Sequence, residues 1–438
     1  MSITDLATEK LKIHNGKNVN KNIAVIGAGV AGLGFANLIA KKGFNVTIFE
    51  KRKVEEILTE PDKRSINFTV SERGLNTFKK IGIDKEIKKN SKELKGRSIC
   101  ENGIKNKFIH KYGSSTYSIR RSKMIELLYK KSIKNDNIRI IEHAEIDSID
   151  KDLATIKINN KSMEFDFILG ADGAFSIVRE ELLKNNPVEF KREYFDWRYI
   201  EIKLTKHDIE KLPTHNDKIN FWCGDNYLFV GIPNLDGSMS IMFSFHKNDD
   251  KNKRESYIRK VFPESIISSL ITQLDHNSNW LTKIEVGKWS YKDKLVLIGD
   301  AAHAIYPFYG QGMNSAMEDA LVLFDLIESN DNYEVAFEEY EKIRKPETDL
   351  LSEISKKHFY ELKDQSRSYF SIDNCIINRL LTKYFSIIWP DNYDLFTAGR
   401  NSIQKAKLKI ILKKTILLIS GATLISASYN ISKKMINL

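Results

Sequence analysis

The stretch Ile23-Ala24-Val25-Ile26-Gly27-Ala28-Gly29-Val30-Ala31-Gly32 decides the fold. An apolar strand runs directly into a G-x-G-x-x-G turn, and the residues that follow predict a helix to about Lys42. In such a turn Gly27 permits the tight bend, Gly29 lets a pyrophosphate approach the backbone, and Gly32 permits close helix–strand packing. The helix N-terminus then presents free N–H groups to the phosphates. The stretch therefore predicts a Rossmann-type βαβ unit that binds a dinucleotide.

A carboxylate completes this pattern. The next predicted strand, Asn45 to Phe49, ends at Glu50, where a carboxylate can accept hydrogen bonds from ribose hydroxyls. Arg52, two residues further on, is expected to belong to the same site. A glycine turn without a ligand is the alternative, and Glu50 favours the cofactor. No second G-x-G-x-x-G follows a strand, so any further dinucleotide is expected to bind only transiently.

Composition limits the class of protein. The chain has 438 residues, of which 42% are apolar and 29% charged, which predicts a globular protein of two or three packed units. The net charge of +11 comes from lysines spread along the chain, which favours a solvated surface over a nucleic-acid interface.

The three cysteines, Cys100, Cys223 and Cys375, form no C-x-x-C pair, which argues against a disulfide framework and a zinc site. Residues 1–20 are polar and carry no secretory signal, so a cytoplasmic location is expected.

The predicted elements divide the chain into successive regions. A strand at 165–169 leads into Gly170-Ala171-Asp172-Gly173, alternating runs between 190 and 290 predict an antiparallel sheet, and Leu295–Ile298 reads as a buried strand. The expected regions are a flexible tail at 1–20, a dinucleotide-binding domain at 21–185 whose residues 65–120 contribute to the substrate side, a substrate-binding sheet at 186–290, the second part of the dinucleotide-binding domain at 291–350, a helical region at 351–408 and an apolar helix at 409–438.

The C-terminal segment 415–432 carries no charged residue and is flanked by paired lysines. Its length just reaches that of a membrane-spanning helix, but its serines and Asn430 weaken that interpretation. A membrane anchor and a buried or dimer-interface helix are both open, and the sequence does not specify the oligomeric state.

Two later segments sharpen the functional prediction. Gly170–Gly173 is followed by Arg179, and Gly299-Asp300-Ala301-Ala302-His303 leads into Pro307–Asn314. Together with the glycine turn, in this order, they resemble the class A flavin monooxygenases, the aromatic hydroxylases of the p-hydroxybenzoate hydroxylase type. The resemblance implies an α/β protein with a Rossmann-type FAD-binding fold, an antiparallel-sheet substrate domain and a helical C-terminal region.

The same resemblance assigns the cofactor residues. It implies that Asp300 binds the flavin ribityl chain, that Asp172 supports both FAD and the nicotinamide cofactor, and that Arg121 contacts FAD. The helix that starts near Met313 would place its N-terminus against the flavin ring, where N–H groups stabilise negative charge. The full expected cofactor set is Gly27, Gly29, Gly32, Glu50, Arg52, Arg121, Asp172, Asp300, Gly312, Met313 and Asn314.

Within this family the chain most resembles the kynurenine 3-monooxygenases. Arg64-Ser65-Ile66-Asn67, Ser71-Glu72-Arg73-Gly74 and the pair Arg344 and Pro346 carry the likeness. It implies hydroxylation of an aromatic amino acid or related aromatic acid, most specifically L-kynurenine to 3-hydroxykynurenine, with NAD(P)H and O₂. It also implies a cytoplasmic-side catalytic domain and, in a eukaryote, anchoring to the mitochondrial outer membrane. The flavin carries the chemistry, so no catalytic side chain and no metal is assigned.

Substrate residues follow by position. Arg97 and Tyr112 match the residues that bind the amino-acid carboxylate, a suitable pairing for a guanidinium and a phenol. Phe308 and Tyr309 match aromatic residues beside the substrate ring. The sequence departs from the family at three positions, His358, Leu362 and Phe396. These departures keep alternatives open: a hydroxylase of another phenol, aniline or indole, a membrane-associated FAD-dependent reductase, or an FAD-binding protein without turnover.

Overall fold

The computed structural model describes residues 21–59, 67–101, 106–212, 214–276, 278–363, 380–382, 384–385, 388–397 and 402–436. The strands are β1 (Asn22–Ile26), β2 (Asn45–Phe49), β3 (Asn67–Val70), β4 (Lys92–Glu101), β5 (Asn106–Arg120), β6 (Ile138–Ile141), β7 (Ser148–Asp150), β8 (Thr155–Ile158), β9 (Lys161–Glu164), β10 (Phe167–Gly170), β11 (Phe190–Leu204), β12 (Ile219–Gly224), β13 (Tyr227–Pro233), β14 (Met239–His246), β15 (Asn279–Val286), β16 (Ser290–Tyr291) and β17 (Leu295–Leu297). The α-helices are α1 (Val30–Ile39), α2 (Val54–Thr59), α3 (Glu72–Ile81), α4 (Asp84–Lys89), α5 (Arg121–Ser132), α6 (Ile177–Leu183), α7 (Lys206–Glu210), α8 (Lys251–Val261), α9 (Glu264–Ile271), α10 (Asp300–His303), α11 (Gly312–Ser329), α12 (Tyr333–Lys363), α13 (Asn392–Thr397) and α14 (Ile403–Ile436).

A mostly parallel sheet carries the cofactor half of the molecule. Its strand order is β16-β17-β10-β1-β2-β6, and β1 pairs in parallel with both β10 and β2. Strands such as β10 and β17 are continuously apolar and buried, as expected where both faces of a parallel sheet are covered. Parallel pairing brings the carboxyl ends of β1, β2, β10 and β17 to one edge, where the predicted cofactor residues follow.

The helix after the glycine turn is shorter than expected. The sequence predicts it to Lys42, but α1 ends at Ile39 and a 3₁₀ turn covers Ala40–Lys42. Gly43 then takes a φ of 85°, a left-handed conformation that terminates the helix. Helix α1 packs directly against α11, because a Cβ on Gly34 would lie 2.8 Å from the Met317 methyl carbon.

An eight-stranded sheet forms the second layer, in the order β15-β11-β14-β13-β12-β4-β5-β3. The antiparallel sheet predicted over 190–290 is present within it, from β15 to β12. The sheet is larger than predicted, however, because β12 pairs in parallel with β4, with Ile219 opposite Arg97. Strands from before residue 120 therefore complete this sheet and bring Arg97 into it. A separate three-stranded sheet has the order β7-β8-β9.

Helices from the C-terminal part cover the junction of the two large sheets. Helix α12 runs through Pro346 and buries residues along its whole length, including His358 and Leu362 near its end. Helix α14 is attached at its start, where Glu347 accepts hydrogen bonds from the Ile403 and Gln404 backbone N–H groups. Across the described residues, no helix is both long and apolar enough to cross a membrane. Segment 415–432, for which an anchor and a buried or dimer-interface helix were both open, lies within α14.

Candidate functional site

The glycine turn after β1 is shaped by close backbone contacts. Gly27 has a φ of 103°, and a Cβ there would lie 2.6 Å from the Ala171 carbonyl oxygen. A Cβ on Gly32 would lie 2.1 Å from the Gly27 carbonyl oxygen, so both positions require glycine. At Gly29, by contrast, the nearest atom to a Cβ is 4.0 Å away. The turn is therefore tight on its protein side and open at Gly29, as a phosphate-binding turn requires.

Glu50 is held against this turn although it is a carboxylate with only 4% exposure. Its Oε2 accepts a hydrogen bond from the Ala28 N–H at 3.0 Å. Its Oε1 accepts from the backbone N–H of Arg52 at 3.1 Å and from the guanidinium Nε at 3.0 Å. The structure thus brings together the predicted Glu50, Arg52 and glycine turn, and the arginine fixes the direction of the carboxylate.

Asp300 lies at the same edge of the sheet, at the first residue of α10. The residue is exposed to solvent. Desolvation there raises the pKa of the Asp300 carboxyl, and the nearby His303 and Arg121 act to lower it. Arg121, the first residue of α5, also lies over the Phe68 ring at 5.8 Å. Arg121 and Asp300 therefore lie close enough for their charges to interact.

The start of α11 is tied to the turn between β3 and α3. The Asn314 side chain is fully buried; its Oδ1 accepts from the Ser71 N–H at 2.9 Å and its Nδ2 donates to the Thr69 carbonyl at 2.7 Å. Asn314 was predicted to bind the cofactor, and the structure gives its side chain this positioning role. Gly312 and the largely buried Met313 form the first turn of α11. The free N–H groups of this turn point out of the helix N-terminus.

A buried network of charges lies behind α10 and α11. Asp319 is fully buried. Its carboxylate is hydrogen-bonded to the His303 Nε2 at 2.5 Å and accepts a hydrogen bond from the Arg344 Nε at 2.8 Å. Glu318 accepts from Arg344 at 2.5 Å and from Arg73 at 2.6 Å. Burial acts to raise the pKa of Asp319, but the interactions with His303 and Arg344 outweigh it and lower the pKa to about 2. Sequence reasoning noted several of these residues only as family matches and missed that they form one network.

Asp172 lies beside the glycine turn, because a Cβ on Gly27 would be 3.0 Å from its Cα. Its Oδ2 accepts a hydrogen bond from the Ile177 N–H at 2.8 Å, at the start of α6. Burial raises the pKa of the Asp172 carboxyl, against hydrogen bonds from Ser176 and from the α6 backbone. Its side chain therefore orders the loop that borders the turn.

A second cluster surrounds Arg97 on β4, in the eight-stranded sheet. Arg97 is 8% exposed; its Nη1 lies 3.5 Å from the His358 Nε2 and its Nη2 lies 3.8 Å from the Asp391 Oδ1. Its guanidinium also lies over the Tyr393 ring, 4.2 Å from the centroid. Burial lowers the pKa of the His358 imidazole, and Glu361 acts to raise it. We call Arg97, His358, Tyr309, Tyr393 and Phe396 the arginine cage.

The aromatic members of the cage pack closely. The Tyr309 ring lies 4.5 Å from the His358 ring, 5.1 Å from Tyr393 in a stacked arrangement and 6.0 Å from Phe396 edge-on. Burial raises the pKa of the Tyr309 hydroxyl well above its usual value, so it stays protonated. The structure therefore brings together four predicted substrate residues. Sequence reasoning missed Asp391 and Tyr393, which follow a segment with no recognisable motif.

Of the remaining predicted substrate residues, Phe308 lies beside the cage. Phe308 belongs to a neighbouring apolar cluster, in which its ring lies 4.5 Å from the Phe359 ring. Leu362 belongs to the same cluster. Phe308 adjoins Tyr309 in the chain, so the apolar cluster borders the cage. Tyr112 lies in β5, and its side chain is outside the described part of the structure.

The residues around the glycine turn fit FAD. The turn is open at Gly29, Glu50 is fixed at the end of β2, and the charges of Asp300 and Arg121 interact. Gln311, which precedes α11, is 2% exposed, and its Oε1 accepts no hydrogen bond from any described residue. A buried polar atom without a partner is costly, so a group that donates to it is expected there. These donors and acceptors lie along one edge of the sheet, as an extended dinucleotide requires.

Comparison with known proteins agrees with this geometry. The model of the FAD binding domain family matches residues 20–347. Kynurenine 3-monooxygenase of Christiangramia forsetii is 31% identical over 370 residues, covering 79% of this chain and 81% of the relative. The Dictyostelium discoideum kynurenine 3-monooxygenase is 29% identical over 448 residues, covering 95% and 96%. The solved structure of 2-methyl-3-hydroxypyridine-5-carboxylic acid oxygenase superposes with a TM-score of 0.69 over 89% of this chain and 98% of that one. At 18% identity that last likeness shows the fold alone.

Proposed function

We propose that this chain hydroxylates L-kynurenine. It belongs to the FAD-dependent aromatic monooxygenases of the FAD binding domain family, and it is similar to kynurenine 3-monooxygenases. The reductant in this proposal is NADPH, the oxidant is O₂, and the product is 3-hydroxykynurenine. When bound, FAD supplies the redox chemistry that activates oxygen and transfers one of its atoms to the ring.

The arginine cage is the observation that carries the substrate assignment. Kynurenine combines an aromatic amine with an amino-acid carboxylate, so its site needs a cation beside aromatic surface. Arg97 supplies a guanidinium that can form paired hydrogen bonds with a carboxylate. Tyr309 and Phe396 supply aromatic faces close to it. The raised pKa of the Tyr309 hydroxyl keeps that side chain uncharged. The cage therefore matches the two ends of such a substrate.

The protein's own residues would position and shield the reactants. Glu50 and Arg121 would contact the bound cofactor, and the N–H groups at the start of α11 would stabilise negative charge on its reduced ring. Asn314 keeps that helix start in place through Thr69 and Ser71. The apolar cluster around Phe308 excludes water from the neighbouring reaction space. No side chain needs to act as a nucleophile.

Product analysis tests the proposal. Purified protein loaded with FAD is mixed with NADPH, O₂ and L-kynurenine, and NADPH oxidation is followed by absorbance. We expect kynurenine to accelerate NADPH oxidation and mass spectrometry to find a product heavier by one oxygen atom. Unchanged kynurenine with stimulation by another phenol, aniline or indole would reassign the substrate, and turnover without O₂ would indicate a reductase.

The three departures from the family pattern make that substrate panel necessary. His358 places an imidazole beside Arg97, and Phe396 contributes no hydroxyl to the cage. Changes of polar groups in a buried site alter selectivity by large factors. A related aromatic acid is therefore the second candidate substrate.

Location is a further part of the proposal. We infer a catalytic domain on the cytoplasmic side, with residues 415–432 as the segment that would mediate any membrane association. Fractionation of the full chain beside a chain that ends at Lys414 tests it. Equal distribution of the two between membrane and soluble fractions would contradict a role for this segment.

A further inference from the structure

The arginine cage has a carboxylate beside its cation. The Asp391 Oδ1 lies 3.8 Å from the Arg97 Nη2, and the two side chains are only 22% and 10% exposed. This distance is that of an ion pair, and it is longer than the roughly 2.8 Å of a charge-assisted hydrogen bond between such groups. A positive and a negative charge are therefore set side by side at the cage, both largely shielded from water.

The Asp391 carboxylate is held in a fixed position. Its Oδ1 accepts a hydrogen bond from the Tyr393 N–H at 2.8 Å. The residues on either side are held by the buried Lys413 of α14, whose Nζ donates to the Pro390 carbonyl at 2.6 Å and to the Asn392 Oδ1 at 3.0 Å. The structure thus fixes both the backbone and the side chain of Asp391 against Arg97.

The charge of Asp391 also reaches the other members of the cage. Burial is the main influence on the pKa of the Tyr309 hydroxyl and on the pKa of the His358 imidazole, and the charges of Glu361, Arg97 and Asp391 act on both groups. Since the lowered pKa keeps His358 neutral at pH 7, these three charges amount to one cation and two anions. A purely anionic ligand would increase that excess of negative charge, whereas a ligand that also carries a cation would not.

Of the two carboxylates, Asp391 is the better placed to bind such a cation. The Glu361 side chain is 46% exposed and lies 3.8 Å from the Lys357 Nζ, so that water and the lysine screen its charge. Asp391 is less than half as exposed and lies directly beside Arg97. A cation on Asp391 would therefore be next to a carboxylate bound by Arg97.

We propose that Asp391 binds the α-ammonium of an amino-acid substrate while Arg97 binds its carboxylate, so that the cage selects amino acids over aromatic acids that lack the ammonium. The ammonium and carboxylate of an amino acid are attached to one carbon atom, which matches two opposite charges held side by side. Against a plain aromatic acid, Asp391 would act as a like charge beside the bound carboxylate, which adds a penalty to the missing contact. This role of Asp391 rests on the proposed function and narrows its substrate class to zwitterions.

Two ligands that differ only in the ammonium test this role. FAD-loaded protein is titrated with L-kynurenine and with desaminokynurenine, which carries hydrogen in place of the α-ammonium, and calorimetry without NADPH gives the two dissociation constants. We expect the wild type to bind kynurenine about tenfold or more tightly, because the analogue lacks a charge-assisted contact and leaves a like charge beside its carboxylate. Equal affinities, or tighter binding of desaminokynurenine, would overturn the role of Asp391 without recourse to any variant.

Asp391→Asn then removes the charge and keeps the shape of the side chain. The amide oxygen can still accept from the Tyr393 N–H, since asparagine makes such local hydrogen bonds as well as aspartate does. We expect the dissociation constant of kynurenine to rise about tenfold and that of desaminokynurenine to stay the same or fall, so that the preference disappears. A preference equal to that of the wild type would exclude Asp391 as the partner of the ammonium.

Two further variants serve as comparisons. Asp349→Asn removes an exposed carboxylate of α12 that pairs with Lys345, and it should bind both ligands as the wild type does. Glu361→Gln removes the other carboxylate near the cage and should keep the preference, so its loss there would assign the ammonium to Glu361 and overturn the role of Asp391. A wild type that hydroxylates kynurenine without preferring it over desaminokynurenine would overturn this role alone. A wild type that does not hydroxylate kynurenine would overturn the proposed function itself.

Discussion

The buried charge network and the arginine cage use the same kinds of side chain in opposite ways. In the network, Asp319 and its partners meet at 2.5 to 2.8 Å and are almost fully buried. In the cage, Arg97 lies 3.5 Å from an imidazole and 3.8 Å from a carboxylate, over an aromatic face. In the network, short mutual pairing between buried charges fixes a framework. In the cage, the guanidinium lies against an aromatic face, so that a positive charge and apolar surface are offered side by side.

The largest effect is expected from breaking the network at Asp319. Asp319→Asn would leave His303 and Arg344 buried without their carboxylate, which costs about 3–5 kcal/mol. The free energy of unfolding, measured in urea, should fall by that amount. Asp325→Asn on the same helix is the control, because its carboxylate is half exposed and 3.7 Å from Lys80. Equal losses in the two variants would contradict the special role of the network.

The pH dependence of stability follows from the same group. The pKa of Asp319 is about 2 in the folded protein and 3.8 for an ordinary aspartate, so the folded state binds this proton less readily. Its contribution is present above pH 3.8 and lost as the pH falls towards 2. The difference in unfolding free energy between wild type and Asp319→Asn should therefore shrink on acidification. A difference that is constant from pH 7 to pH 3 would argue against this origin.

Removing the cation of the cage is expected to act on substrate binding instead. Arg97→Gln would leave the substrate carboxylate without a charged partner, so KM for the aromatic acid should rise about a hundredfold. Because the network is untouched, FAD content and the rate of flavin reduction without substrate should remain at wild-type values. Arg120→Gln, an exposed arginine on the adjacent β5 paired with Asp236, is the control. Loss of FAD in Arg97→Gln would contradict the separation of the two regions.

Weakening the cofactor side at a single contact should have a moderate effect. Glu50→Gln places an amide where the carboxylate accepts from Ala28 and Arg52, so the FAD dissociation constant should rise about tenfold. Fluorescence titration of the apoprotein with FAD measures it. Glu56→Gln, an exposed carboxylate on α2, serves as the comparison. An unchanged FAD affinity would remove Glu50 from the cofactor site.

The smallest effect concerns His358 and tests how the cage responds to a change of charge. Burial lowers the pKa of this imidazole below 6.5, so it is neutral at pH 7. A bound substrate carboxylate favours the protonated ring, so KM should decrease severalfold as the pH falls through this pKa. His358→Asn should remove that pH dependence with little change in KM at pH 7. Persistence of the same pH profile in the variant would assign it to another group.

Much of the cofactor half could be predicted from the sequence. The glycine turn, Glu50 and the two later loops lie at the ends of short apolar strands, and parallel pairing brings such ends to one edge. Asn314 was predicted to bind the cofactor but has its side chain engaged with Thr69 and Ser71. The contact depends on how α11 meets β3, which local pattern does not record.

The substrate half was less accessible to sequence reasoning. Arg97, Tyr309, His358 and Phe396 came only from family resemblance, because no local pattern marks them. Asp391 and Tyr393 were missed, although Tyr393 lies directly under the Arg97 guanidinium. These residues are distant in the chain and meet only after α12 and α13 pack over the second sheet.

By itself, the sequence determined the βαβ unit, its ligand class and the order of the cofactor loops, since each depends on a few neighbouring residues and their spacing. Only the tertiary structure decided the parallel pairing of β12 with β4, the buried charge network and the arginine cage. The physical reason is that an ion pair or a ring contact depends on distances of a few ångströms between segments tens to hundreds of residues apart. Those distances exist only once the two sheets and the C-terminal helices have packed.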